Sequence, residues 1–297
     1  MKPGPLEKRE FQTIFGVRGL PKFRRKPLVL FTGSGIGNVL VKSRQVRVNT
    51  IHGQVKLLVG EMEGVSGLPV VVVPRHANPA ATEVGHQRLP HQVNEPAYSV
   101  VAAALDPVAV VTMHTIGVAK TKKSFEPGRL TVIRDFLPTR SSKTIFSEKA
   151  VDAITAAGYS LPHVAHTPLS IEKLANPRLT TIISESAKQA KLPLADDVIC
   201  HTIPGPTYET SAEVRDLVAR GVTGFSMTHQ NDAVTIQEAL AASGSKAMVA
   251  SIATISNFAQ GIGETPSHAE VERLVHETAP KRAEFLKRLA KKISELA

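Results

Sequence analysis

Four short stretches in the C-terminal half carry side chains suited to a small-molecule site: Gly205-Pro206-Thr207-Tyr208-Glu209-Thr210, Gly224-Phe225-Ser226-Met227-Thr228, Ile255-Ser256-Asn257 and Ser267-His268-Ala269-Glu270-Val271. They supply a ring, a carboxylate, a hydroxyl, an amide and an imidazole. Each is ordinary alone: Glu209 fits a carboxylate at a helix N-terminus, Asn257 a turn residue and His268 a first-turn surface residue. Further upstream, Gly33-Ser34-Gly35-Ile36-Gly37 can present backbone N–H groups and a hydroxyl to phosphate without Cβ obstruction. It lacks the Rossmann spacing with its acidic residue about 20 positions on, and the lysine of a P-loop, so dinucleotide and nucleoside-triphosphate readings fail. Arg75 is a second candidate anion ligand. His76, His86, His91 and His114 form no pair at helical zinc spacing and have no cysteine support, so no metal site is expected. Ser34 sits outside any Gly-x-Ser-x-Gly elbow, which argues against an acyl nucleophile.

The elements that must position these residues read as α/β. Short β-branched runs at 28–32, 69–74, 108–113, 130–134, 198–203, 222–227 and 246–252 alternate with helical patterns at 96–105, 177–190, 211–220, 233–242 and from 269 to the end. Several runs lack polar alternation, as in strands buried on both faces. Thr210 with Glu213, and Ser267 with Glu270, form capping-box patterns that start the helices beside two of the motifs. No repeat or linker follows residue 27, so one domain is expected. The basic positions 281, 282, 287, 288, 291 and 292 of the last helix read as a solvated face.

The 297 residues are 42% hydrophobic and 21% charged, with one cysteine; this excludes a disulfide framework and a secretory signal, and no apolar run is long enough to cross a membrane. The expected compartment is cytoplasmic, with a mitochondrial alternative. The net charge of +10 is concentrated in residues 1–26, where eight Lys or Arg stand against Glu7 and Glu10, a net of +6. A solvated arm, phosphate-backbone contact with RNA or a targeting remnant would each account for this.

Taken together and in this order, the four motifs resemble the trimeric purine nucleoside phosphorylase and methylthioadenosine phosphorylase family, whose pattern has Gly-Pro-x-Phe-Glu-Thr, Gly-Met-Ser/Thr, a Thr-Asn or Thr-Asp pair and a His-x-Glu-Val helix start. The resemblance runs from about Pro27 to the last helix. It implies a single domain with a twisted mixed β-sheet flanked by helices, following a basic arm at 1–26. Carried over residue by residue, it places Ser34, Arg75 and Thr228 on phosphate, Tyr208 on the face of the base, Glu209 at the purine N1 side, Asn257 at O6 and N7, Met227 against the ribose and His268 on the ribose 5′-hydroxyl. His76 and His86 are the candidates for the phosphate histidine. The family's small-residue strand end beside phosphate is replaced here by Met113-His114-Thr115-Ile116-Gly117, where Thr115 joins the substrate-binding set and Ile116 could obstruct the backbone approach. Val-Pro-Glu becomes His229-Gln230-Asn231-Asp232. The resemblance implies phosphorolysis of a purine nucleoside, 6-oxopurine favoured, by a homotrimer with inorganic phosphate as co-substrate and no other cofactor. The alternative is a catalytically silent phosphorylase-like subunit of a larger, RNA-containing assembly, for which the basic arm and the altered phosphate loops are the motive.

Overall fold

The structure is a computed structural model that describes all residues except 34–38, 76–92, 139–142, 167–168, 204, 206, 263–267 and 297. In chain order the elements are α1 (Lys8–Ile14), β1 (Leu28–Thr32), β2 (Leu40–Thr50), β3 (Gly53–Met62), β4 (Val70–Pro74), α2 (Glu95–Ala104), β5 (Ala109–Val118), β6 (Leu130–Leu137), α3 (Glu148–Ala156), α4 (Leu161–Ala165), α5 (Ile171–Leu174), α6 (Pro177–Gln189), β7 (Val198–Thr202), α7 (Ser211–Ala219), β8 (Gly224–Ser226), α8 (His229–Ala242), β9 (Met248–Phe258) and α9 (His268–Ser294).

The strands form one mixed sheet in the order β2-β3-β4-β1-β5-β8-β7-β6-β9, and a further pairing of β5 with β9 closes its second half on itself. β1 is parallel to β4 and β5, and β5 to β9, whereas β2–β3, β3–β4, β5–β8 and β6–β9 are antiparallel. β1 is buried at all five positions because both of its faces are covered. Val29 and Phe31 pack with residues of α1, α2 and α8, while Leu28 and Leu30 pack with residues of α6 and α9. This two-sided burial is why the apolar runs read without alternation.

Strand β5 outruns its sequence pattern. It continues past Met113 to Val118 in unbroken pairing with β9 apart from one register shift after Ile116. Residues 40–62, which the sequence reading leaves unassigned, form the β2–β3 hairpin. α9 runs through Pro280 as one helix.

The basic N-terminal segment, for which a solvated arm is one of three readings, is part of the packed molecule. Leu6, Phe11, Ile14 and Phe15 are buried in the same apolar cluster as β1, α2 and α8. The Leu6 N–H donates to the Ala242 carbonyl at 2.8 Å and the Lys2 N–H to the Gly158 carbonyl at 2.7 Å. Several of its cations are also spent internally: Lys2 pairs with Glu10 at 2.8 Å and Lys26 with Asp106 at 3.0 Å, and Arg25 donates to the Ser294 carbonyl at 2.8 Å. Apolar side chains hidden among the charges, at the helical spacing of Phe11, Ile14 and Phe15, drive this docking.

Candidate active site

The ends of β5 and β9 bring two of the motifs together. Gly117 lies opposite Asn257, and a Cβ at position 117 would sit 3.0 Å from Asn257 Nδ2 and 3.7 Å from a Glu209 carboxylate oxygen. Glycine there leaves the space in which amide and carboxylate converge. Asn257 is held by its neighbours: Ser256 Oγ donates to Asn257 Oδ1 at 2.6 Å, and Nδ2 donates to the Phe258 carbonyl at 2.8 Å.

Glu209 comes from the segment between β7 and α7. That segment is fixed by the capping box at Thr210, whose hydroxyl accepts from the Glu213 N–H while the Glu213 carboxylate accepts from the Thr210 N–H at 2.7 Å. Glu209 itself is buried. Burial raises its carboxyl above the usual range, and backbone hydrogen bonds, including one from Gln260, oppose the rise. Tyr208, beside it, keeps 39% of its surface exposed.

The second cluster surrounds Arg75, immediately after β4. Although 1% exposed, its guanidinium is fully engaged. Nη1 donates to Asp232 and to the Thr228 hydroxyl at 3.3 Å and lies 3.0 Å from His114 Nδ1, Nη2 donates to the Met113 carbonyl, and Nε donates to the Thr32 carbonyl at 3.5 Å. A Cβ at position 33 would be 3.1 Å from Nη2, so glycine at 33 lets the main chain approach the cation. Asp232 lies one helical turn beyond Thr228, the N-cap of α8, which aims both at Arg75.

Behind this pair, Lys143 Nζ donates to Glu95 at 2.7 Å and Asn231 Nδ2 donates to Glu95 at 3.4 Å. Burial and the Asp232 charge raise the Glu95 carboxyl to about 7. Burial likewise raises Asp232 against the pull of Arg75. His229, stacked edge-on against His114 with centroids 5.2 Å apart, is pushed down to about 3 by burial and by Arg75.

β5 joins the two clusters, since His114 belongs to one and Gly117 to the other. Three strand residues separate them by about 10 Å, a span suited to a ligand with a flat end and an anionic end. Thr115, half-buried, lines a small cleft with Gly33, Thr254 and Arg282 on the α9 side. Met227 is half-buried between β8 and α8. Ser34, His76, His86 and His91 lie outside the described residues, as does the His268 side chain, although His268 is the first residue of α9.

Two expectations change. Ile116 does not obstruct the strand end: it is 1% exposed and packs among Val198, Ala253 and Ile255. Arg282 does not belong to a solvated face, being buried. Glu95 and Lys143 escape the sequence reading, and Asp232 and Gly117 enter it only as departures from the family pattern, with no role assigned. The one signal for Asp232 is its spacing, four positions and so about one helical turn after Thr228, which puts both on one side of α8.

Fold and site together define an α/β protein of the nucleoside phosphorylase type. The chain belongs to the phosphorylase superfamily, whose sequence model matches residues 27–293. It is 27% identical over 249 residues to a probable 6-oxopurine nucleoside phosphorylase of Moorella thermoacetica, covering 82% of this chain and 84% of that one. It is also 27% identical over 266 residues to an S-methyl-5′-thioadenosine phosphorylase of Pyrococcus horikoshii, covering 89% and 91%. Among solved structures, methylthioadenosine phosphorylase from Schistosoma mansoni in complex with adenine superposes with a TM-score of 0.72 at 21% identity, over 91% of this chain and 92% of that one. No helix among the described residues is long and apolar enough to cross a membrane.

Proposed function

We propose that the protein is a nucleoside phosphorylase, a pentosyltransferase that cleaves the glycosidic bond of a purine nucleoside with inorganic phosphate to give the free base and ribose 1-phosphate. The convergence of Glu209 and Asn257 over Gly117 carries this reading. A 6-oxopurine presents an N1–H donor and acceptors at O6 and N7, and a carboxylate beside an amide complements that edge. The relatives named as 6-oxopurine nucleoside phosphorylases support the same substrate class.

In the reaction the C–N bond lengthens, the sugar gains oxocarbenium character and the departing purine gains negative charge. Asn257 donates to the base as that charge develops, so its contact is stronger in the transition state than in the ground state. Glu209 holds N1–H and orients the ring, on which Tyr208 stacks. Phosphate supplies both nucleophile and counter-charge, so the step needs no metal. Its assigned ligands are Ser34, Arg75, Thr228, Thr115 and His86, with Met227 under the ribose and His268 on the 5′-hydroxyl. The functional unit is proposed to be a homotrimer.

The test is cleavage of inosine, guanosine, adenosine and methylthioadenosine by the full-length protein. Phosphate-dependent release of hypoxanthine or guanine at the highest kcat/KM is expected, and a preference for methylthioadenosine would overturn the assignment of His268.

A further inference from the structure

The Arg75 cluster is electrically closed. Once both carboxyls are ionised, Asp232 and Glu95 match the two positive charges of Arg75 and Lys143, and the direct Arg75–Asp232 pair is almost wholly buried. An oxyanion approaching Arg75 therefore meets a cation already compensated, beside a carboxylate that water cannot screen. Moreover, Asp232 Oδ1 has no hydrogen-bond partner among the described residues, so one lone-pair edge of this buried carboxylate is unsatisfied. A buried acceptor in that condition is stabilised by a proton.

We propose that Asp232 is a positioning residue that holds Arg75 as its internal counter-ion, and that an oxyanion enters the Arg75–Thr228 subsite together with one proton taken up by the Asp232–Glu95 carboxylate pair. This rests on the reading of Arg75 as the phosphate residue and adds the condition under which it acts. With the proton on, Asp232 no longer claims the whole charge of Arg75, and the cluster becomes net positive and receptive to an anion. The proton belongs to the pair, because the Asp232 charge helps to raise Glu95 and both carboxylates interact with the same Lys143.

Charged and titratable groups reach Asp232 from several elements. β4 ends in Arg75 and β5 presents His114; α8 itself carries His229, held neutral near pH 7 by its burial. α2 contributes Glu95, and the segment before α3 contributes Lys143. On β7, His201 turns instead to the Leu137 carbonyl, 3.0 Å from its Nδ1, and acts on Glu213. α4 and α5 turn His163, Glu172 and Lys173 to solvent. Among these groups, Glu95 and Asp232 are the two carboxyls that burial raises, and Asp232 Oδ1 is the acceptor without a partner.

Sulfate is the probe of choice because, unlike phosphate, it keeps one charge state around neutral pH. Its binding to the full-length protein is measured by calorimetry from about pH 5.5 to about pH 8.5, in paired buffers of unlike ionisation enthalpy. The proposal expects an uptake that grows toward about one proton per sulfate as the pH rises above about 7, and an affinity that falls about tenfold per pH unit once both carboxylates are ionised. Glu95→Gln and Asp232→Asn should each flatten that slope, and Asp232→Asn should also tighten binding. Asp232→Glu should restore the slope. Should the variants not fold, the two-buffer measurement on the natural protein still decides. Sulfate bound with no proton exchanged and no pH slope overturns the proposal while leaving Arg75 as an oxyanion residue. Absence of sulfate and phosphate binding at every pH overturns both.

Discussion

At the residue scale, Asn257 and Glu209 are the pair that distinguishes this site from a surface depression. Asn257→Ala should lower kcat/KM for inosine by roughly a hundred- to thousandfold, about 2.7–4 kcal/mol of transition-state stabilisation, with thermal stability little changed. Rates like those of the natural protein would remove Asn257 from the base site. Glu209 adds a pH dependence whose sign follows from its raised carboxyl. It must be ionised to accept from N1–H of a 6-oxopurine, so inosine turnover should fall as the pH drops through that raised value. A purine with an unprotonated N1 should fall less, because the protonated carboxyl can donate to it, and the inosine-to-adenosine ratio should narrow in acid. A ratio independent of pH would contradict the N1 contact. Gly117→Ala places a methyl group 3.0 Å from Asn257 Nδ2, and should weaken nucleoside binding in a protein that still folds.

At the element scale, the site depends on where β5 and β9 end and on how α2 and α8 meet behind Arg75. Glu95 links those helices, and its carboxyl is raised to about 7 from an ordinary 4.5. The folded state therefore binds this proton more tightly than the unfolded chain. The stabilisation is fully present below about pH 4.5 and is lost as the pH rises through about 7. Glu95→Gln should flatten the decline in Tm between those values, and an unchanged decline would assign it to other groups. Strand positions such as β1 were legible because two-sided burial leaves an unbroken β-branched run, and the start of α7 was legible because its cap is local chemistry between Thr210 and Glu213. The β2–β3 hairpin was not, since β2 is an edge strand, exposed along most of its length, whose polar run lacks a clean apolar alternation. The base-site residues could be named from their motifs, but the Arg75–Asp232 pair could not: four positions of α8 and a distant strand end meet only once the sheet is assembled.

At the scale of the whole molecule, charge misled where packing decided. The basic N-terminal segment places Phe11 and Phe15 in the principal core, so removing residues 1–26 should lower Tm, and Phe11→Ala alone should cost about 3–5 kcal/mol. A truncated protein as stable as the full chain would show that α1 is dispensable. The similar proteins of Moorella thermoacetica and Pyrococcus horikoshii are named as phosphorylases, and neither name lends support to an RNA-containing assembly. What the family, the fold and the two-ended strand β5 jointly claim is that a purine leaves a ribose as phosphate arrives. The measurement that bears on this most directly is the product balance for inosine incubated with the full-length protein, followed by phosphorus NMR and by chromatography of the base. Ribose 1-phosphate and hypoxanthine are expected in equal amounts, appearing when phosphate is supplied and not without it. Free ribose in place of the sugar phosphate, or inosine left intact at saturating phosphate, would contradict the claim.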